Sequence, residues 1–191
     1  LENHGASVAG TTLNEAFERF ETLEFTCRLL INASRIGTAR FLDDHTLQTE
    51  RREFRQGSVW TDYTPTSEEK ELRVTMASMV RRAYAQSLVT STSGTFAARC
   101  SDGRFVMTPH GVDRRYIEPH DLIAITDTRI EPGKEPSKAW HVVADLFVMH
   151  RHIGAVLFAH PPNAMAFAVT GETYNTLTIP ECFVLLRDIP L

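Results

Sequence analysis

The sequence lacks most features that would mark a specialised class. No apolar run approaches the ~18 residues that a membrane-spanning helix needs. No basic segment followed by an apolar core opens the chain, so no signal peptide is read there. There is no CxxC pair, and three cysteines, Cys27, Cys100 and Cys182, are an odd number at irregular spacing. That pattern favours free thiols in a reducing, cytoplasmic compartment over a disulfide framework. Positive charge is not in excess: 20 Lys and Arg against 24 Asp and Glu leave −4, with a pI near 6.1. The balance argues against a nucleic-acid footprint or a polybasic membrane anchor. What remains is an average soluble composition, 191 residues at 42% hydrophobic and 23% charged. It suits one ordinary domain or pieces of two, and excludes disorder, collagen and coiled coil. The eight histidines are a high count for this length and a weak pointer to metal or proton chemistry.

Along the chain, residues 1–10 read as a short strand and turn with Gly5 and Gly10 at the bends. Thr12-Leu13-Asn14-Glu15 has the form of a capping box. Leu13, Ala16, Phe17, Phe20, Leu23, Cys27, Leu30 and Ile31 then recur at helical steps, which predicts a helix ending near Gly37. Residues 38–65 are polar and read as a connector with one short helix. Thr66-Ser67-Glu68-Glu69 is a second capping box, and Leu72, Met76, Met79, Val80, Ala83 and Tyr84 mark a helix ending near Leu88. Candidate strands follow at Arg104–Thr108, Asp121–Ile125, Gly154–Phe158 and Phe183–Leu186. Between them, Trp140, Val143, Ala144, Phe147 and Val148 predict a third helix, and Pro161-Pro162 open a fourth. Alternating strands and helices mean an α/β layered fold. The opening Leu1-Glu2-Asn3-His4-Gly5 reads as if entered in mid-strand, and Leu191 follows a strand closely. An excerpt of a longer protein is expected.

Four segments carry chemistry. Ser91-Thr92-Ser93-Gly94-Thr95 is a small hydroxyl-rich loop of the kind that cradles a phosphate. Thr108-Pro109-His110-Gly111-Val112-Asp113 is a tight turn leaving a strand. Pro136-Ser137 opens a helix whose free amides suit an anion. Phe158-Ala159-His160-Pro161-Pro162 sets a histidine at the end of an apolar strand, a usual place for a metal ligand. In this order and spacing they resemble the class II aldolase/adducin family. Its pattern has a Gly-Thr-Ser-Gly-Asn loop, a Thr-Pro-x-Gly turn, a Pro-Ser-Ser-Glu-Trp helix start and a His-x-His-Pro strand end. Residues 68–191 follow that succession, and Glu2-Asn3-His4-Gly5 with the helix after it looks like the family's C-terminal part.

The resemblance implies an α/β layered αβα sandwich with a central, mainly antiparallel sheet. It also implies a zinc-dependent aldehyde-lyase ancestry, a small phosphorylated sugar or similar anion as ligand, and a homo-oligomer. It assigns phosphate contacts to Thr92, Ser93, Gly94, Thr108, Gly111 and Ser137, and zinc ligation to His160 and His4. The carry-over fails where the chemistry is concentrated. Phe158 stands where the first His of the His-x-His pair belongs, and Phe has no lone pair to offer. Ala139 stands at the proton-transfer Glu and Lys138 at the Ser before it, while Thr95 replaces the loop Asn. No catalytic residue is assigned, zinc ligation is incomplete, and the module reads as catalytically impaired. The alternative reading is a non-catalytic, adducin-like scaffold or anion-binding oligomerisation module. The order of parts gives 1–37 as the C-terminal part of one module, 38–65 as connector and 66–191 as the front and centre of a second. A tandem protein explains that order, and a circularly permuted single module is the other explanation.

Overall fold

The computed structural model describes residues 3–44, 46, 57–126, 128–187 and 189. The chain divides into two compact units, one of Arg52–His160 and one of Leu1–Arg51 with Pro161–Leu191.

The unit of Arg52–His160 is built on β1 (Ser58–Val59), α2 (Ser67–Ala85), β2 (Thr95–Arg99), β3 (Phe105–Met107), β4 (Ile123–Ile125), β5 (Arg129–Ile130), α3 (Trp140–Met149) and β6 (Ala155–Phe158). The strands form one sheet in the order β1-β5-β4-β3-β2-β6. Among the described residues only β1 and β5 pair in parallel; the other pairings are antiparallel. Successive side chains of a strand face opposite sides, and both sides here are apolar. Phe96 and Val106 join Met76, Ala77, Val80 and Ala83 of α2 in one cluster. Their neighbours Ala97, Phe105 and Met107 join Trp140, Val143, Ala144 and Phe147 of α3 in the other. The sheet of this unit therefore lies between two helices, the expected αβα layering. Each large side chain buried here contributes roughly 1.5–3 kcal/mol of transfer free energy.

Thr66 caps α2 as expected, its side chain accepting from Glu69 N at 3.1 Å. The reciprocal half of the box is absent. Glu69 is fully buried and its carboxylate accepts instead from Arg73 Nε at 2.9 Å and Arg104 Nη1 at 2.7 Å. Arg73 also bonds Glu131, and Glu131 pairs with Lys134 at 2.8 Å. Buried opposite charges are tolerated because each is paired and hydrogen-bonded. The network fastens α2 to the β4–β5 side of the sheet, where Glu131 Oε2 accepts from Ala124 N at 2.9 Å.

The other unit contains α1 (Leu13–Ala33), α4 (Pro162–Thr170), a 3-10 turn (Thr176–Thr178) and α5 (Pro180–Leu186). Thr12 caps α1, but the Glu15 carboxylate reaches back to Thr11 N and Oγ1 rather than to the cap. α1 packs along α4; Asn32 Nδ2 donates to Asn163 Oδ1 at 2.7 Å, and Arg40 N to Val169 O at 2.8 Å. α4 stops at Gly171, whose φ of +72° only glycine adopts without strain.

Two expectations are corrected. Phe183–Leu186 is not a strand but the end of α5, which starts at Pro180, a residue preset for a first helical turn. A short continuous apolar run does not distinguish strand from helix, and none of the described strands pairs with it to decide for the sheet. Residues 3–10 form turn and irregular backbone rather than a strand. The short helix expected within 38–65 falls largely on residues outside those described.

Candidate functional site

In the unit of Arg52–His160 the hydroxyl-rich loop, the tight turn and the helix start converge through hydrogen bonds. Thr95 Oγ1 and Ser137 Oγ lie 2.7 Å apart, tying the end of the loop to the approach to α3. Ser137 N donates to Thr108 O at 3.2 Å, and His110 N donates to Glu135 O at 2.9 Å. An isolated bridge joins Pro109 to Pro136 beside them. The loop is closed internally by Ser93 Oγ, which accepts from Thr90 N at 3.2 Å and meets Thr90 Oγ1 at 2.8 Å. Gly94 takes a φ of +88° and Gly111 one of +67°, both in the left-handed region. A side chain at Gly94 would also collide with Val89 Cγ1.

The predicted phosphate residues are therefore neighbours, but they are not equivalent. Thr92, Ser93 and Gly94 are half-buried, Ser137 likewise, and Gly111 is exposed. Thr108 is fully buried, and its hydroxyl accepts from Phe96 N at 3.2 Å. Its side chain is a strut between β2 and the turn.

Arg114 is the residue that sequence reasoning missed. It is 1% exposed and is the largest fully buried side chain among the described residues. Its Nε and Nη2 donate to Gly94 O at 3.3 and 3.1 Å. Nη2 also donates to Pro109 O at 3.0 Å, and Nη1 to Val112 O at 2.7 Å. Its own amide donates to Ser91 O at 2.6 Å. One side chain thus grips both loops. Burial pushes its pKa down to about 10, which leaves it a cation at neutral pH. Nothing in Asp113-Arg114-Arg115 separates it from its exposed neighbour Arg115.

On the other side of the site, Phe158 stands opposite Thr95 in the sheet and packs against the α3 cluster. Ala139 is the N-cap of α3 and offers no side-chain cap. Lys138 is exposed, as is His160 just beyond β6. His4 is exposed and belongs to the other unit. Among the described residues no group of three or more His, Cys, Asp or Glu is placed to hold a metal. The donor chemistry gives the same answer within this unit: His160 brings one imidazole, and its would-be partner is a phenyl ring held by apolar neighbours. A catalytic zinc needs three protein ligands, and these residues do not fit it. An open cavity of about 400 Å³ lined by Arg99, Phe105, Phe147 and Arg151 lies beside the C-terminal half of α3, away from the loops.

Residues 1–31 and 74–191 match the family described as Class II Aldolase and Adducin N-terminal domain. The chain belongs to that family. Among curated relatives, the methylthioribulose-1-phosphate dehydratase of Azotobacter vinelandii is 31% identical over 83 residues, 42% of this chain and 40% of the relative. The same enzyme of Pseudomonas savastanoi pv. phaseolicola is 29% identical over 97 residues, 50% of this chain and 48% of the relative. The chain thus spans half or less of the length of these dehydratases. Among solved structures, the L-fuculose-1-phosphate aldolase of Thermus thermophilus superposes with a TM-score of 0.54 at 23% identity, covering 63% of this chain and 62% of that one. That likeness supports the class II aldolase fold, an α/β arrangement with a mostly antiparallel six-stranded sheet. No described helix is long and apolar enough to cross a membrane.

Proposed function

We propose that this class II aldolase family member binds a small phosphorylated sugar, or a similar anion, and has lost most of its lyase chemistry. The observation that carries the reading is the Thr95–Ser137 contact, which draws the hydroxyl loop to the start of α3. Backbone amides of a small-residue loop and the positive end of a helix favour an anion there. The relatives support the ligand class, since their names carry methylthioribulose 1-phosphate and L-fuculose 1-phosphate. Phe158 and Ala139, at the positions where the family resemblance expects a metal ligand and a proton-transfer group, support the impairment. Loss of a positioned general acid or base costs roughly 10²–10⁴ in rate. Free cysteines fit a reducing, cytoplasmic setting.

Calorimetric titration tests this reading. L-Fuculose 1-phosphate and inorganic phosphate are expected to bind, with neither cleavage nor dehydration of the sugar phosphate above background. Failure of both to bind overturns the anion site. Turnover that disappears in His160→Ala overturns the impairment.

A second reading, an adducin-like oligomerisation module, is favoured by apolar exposure on the same unit: Val148 at 67%, Met149 at 66% and Leu157 at 59%. Sedimentation that finds only monomer at micromolar concentration removes it. For the organisation, α1 lying along α4 supports residues 1–37 acting as the closing segment of an aldolase-like module. A disulfide between Asn32→Cys and Asn163→Cys formed within one chain fits a permuted single module. One formed only between chains fits the tandem arrangement, with 38–65 as connector and 66–191 as the second module.

A further inference from the structure

We infer that Arg114 is the residue that sets the charge preference of the anion site, acting from behind the loops rather than by touching the ligand. The inference rests on the proposed anion-binding role. Its grounds are the four carbonyls that converge on this residue. Those of Ser91 and Gly94 come from the hydroxyl loop, and those of Pro109 and Val112 from the turn. In a trans peptide the N–H of the next residue points opposite to the carbonyl. The amide of Thr92 is consequently directed away from Arg114, while that of Thr95 enters the β2–β6 pairing opposite Phe158. One guanidinium thereby fixes the orientation of several backbone dipoles at once.

None of these acceptors is a carboxylate. Among the described residues, the charge that acts on Arg114 is that of Asp113, whose Oδ1 accepts from Arg115 N at 2.8 Å. A buried cation normally finds a charged partner, because neutral carbonyls compensate only part of its lost hydration. Arg73, the other buried arginine among the described residues of this unit, has two glutamates. Arg114 has a full positive charge held in low dielectric behind two loops that otherwise contribute hydroxyls and amides. An anion seated on the outer side adds to the single counter-charge of Asp113; a neutral polyol of the same shape does not. The site therefore discriminates for the phosphate itself, and not only for the sugar's hydroxyl pattern.

The experiment measures binding of L-fuculose 1-phosphate, inorganic phosphate and unphosphorylated L-fuculose to the full chain, with thermal unfolding alongside. Arg114→Gln is expected to weaken both phosphate ligands about tenfold, the scale of one charge acting through protein, while the neutral sugar changes little. Arg114→Lys keeps the charge but not the fork, and is expected to retain part of the preference. Asp113→Asn removes that opposing charge from a half-buried turn position, and is expected to tighten phosphate about two- to threefold, a fraction of that same screened interaction. This last variant carries the test if substitutions at Arg114 fail to fold. Equal weakening of charged and neutral ligands by Arg114→Gln, or phosphate affinity indifferent to Asp113→Asn, overturns the inference while leaving the anion site standing. No phosphate binding by the unaltered chain overturns both.

Discussion

The two sides of the candidate site are held by different forces. On the loop side, Thr95, Thr108, Ser137 and Arg114 are locked by hydrogen bonds between elements, and Gly94 occupies a conformation and a space that no other residue fits. On the strand-end side, Phe158 is held by apolar packing, Ala139 has nothing to donate, and His160 stands in solvent. The loop side is over-determined, and the strand-end side is set by a few side chains without cross-links. A geometry maintained by hydrogen bonds between elements does not depend on the side chains at the strand end.

That contrast can be broken most forcefully at Gly94. Gly94→Ala is expected to cost roughly 2–4 kcal/mol, from the left-handed φ and the collision with Val89 together, read by urea unfolding. A loss below 0.5 kcal/mol, taken as about the scale of a neutral surface change, removes the claim that the loop is over-determined. Phe158→His is next, with about 1–2 kcal/mol lost as part of a phenyl ring leaves its apolar neighbours. Combined with Ala139→Glu, it is expected to raise zinc content by elemental analysis. Unchanged zinc means that the strand-end side has departed from the family by more than these two positions. Ser137→Ala is expected to cost about 1 kcal/mol for the lost bond to Thr95, with weaker phosphate binding in titration. His160→Ala sharpens the comparison from the other end: an exposed residue without structural duty is expected to stay within about 0.5 kcal/mol of the unaltered chain.

How far the sequence foretold these features depends on the range of the interactions involved. α1, α2 and α3 were legible because capping threonines, helical apolar spacing and the Pro-Ser start are local signals. β2 was missed. Thr95–Arg99 reads Thr-Phe-Ala-Ala-Arg, and its two alanines have little strand preference. It is a strand because β3 and β6 flank it. β1 and β5, two residues each, are too short for any period to appear. Of the site, the loops were read from small hydroxyl residues and glycines, and Phe158 and Ala139 from their departures from a pattern. The different duties of Thr108 and Ser137, and the burial of Arg114 beside exposed Arg115, are set by tertiary contacts that leave no mark on spacing.

The strand that carries the loop also has a place in time. β2 meets β3 across a short hairpin, with Ala97 opposite Met107, but it meets β6 across most of its unit, with Thr95 opposite Phe158. Local pairings form readily, whereas distant ones wait on the closure of a long intervening chain. The contact between Thr95 and Ser137 belongs to the distant class, so the proposed anion cradle is expected to be among the last parts of the unit to mature during folding. An anion that recognises only the finished cradle stabilises the native state by mass action. Its uptake during refolding then serves as a clock for the moment the sheet closes.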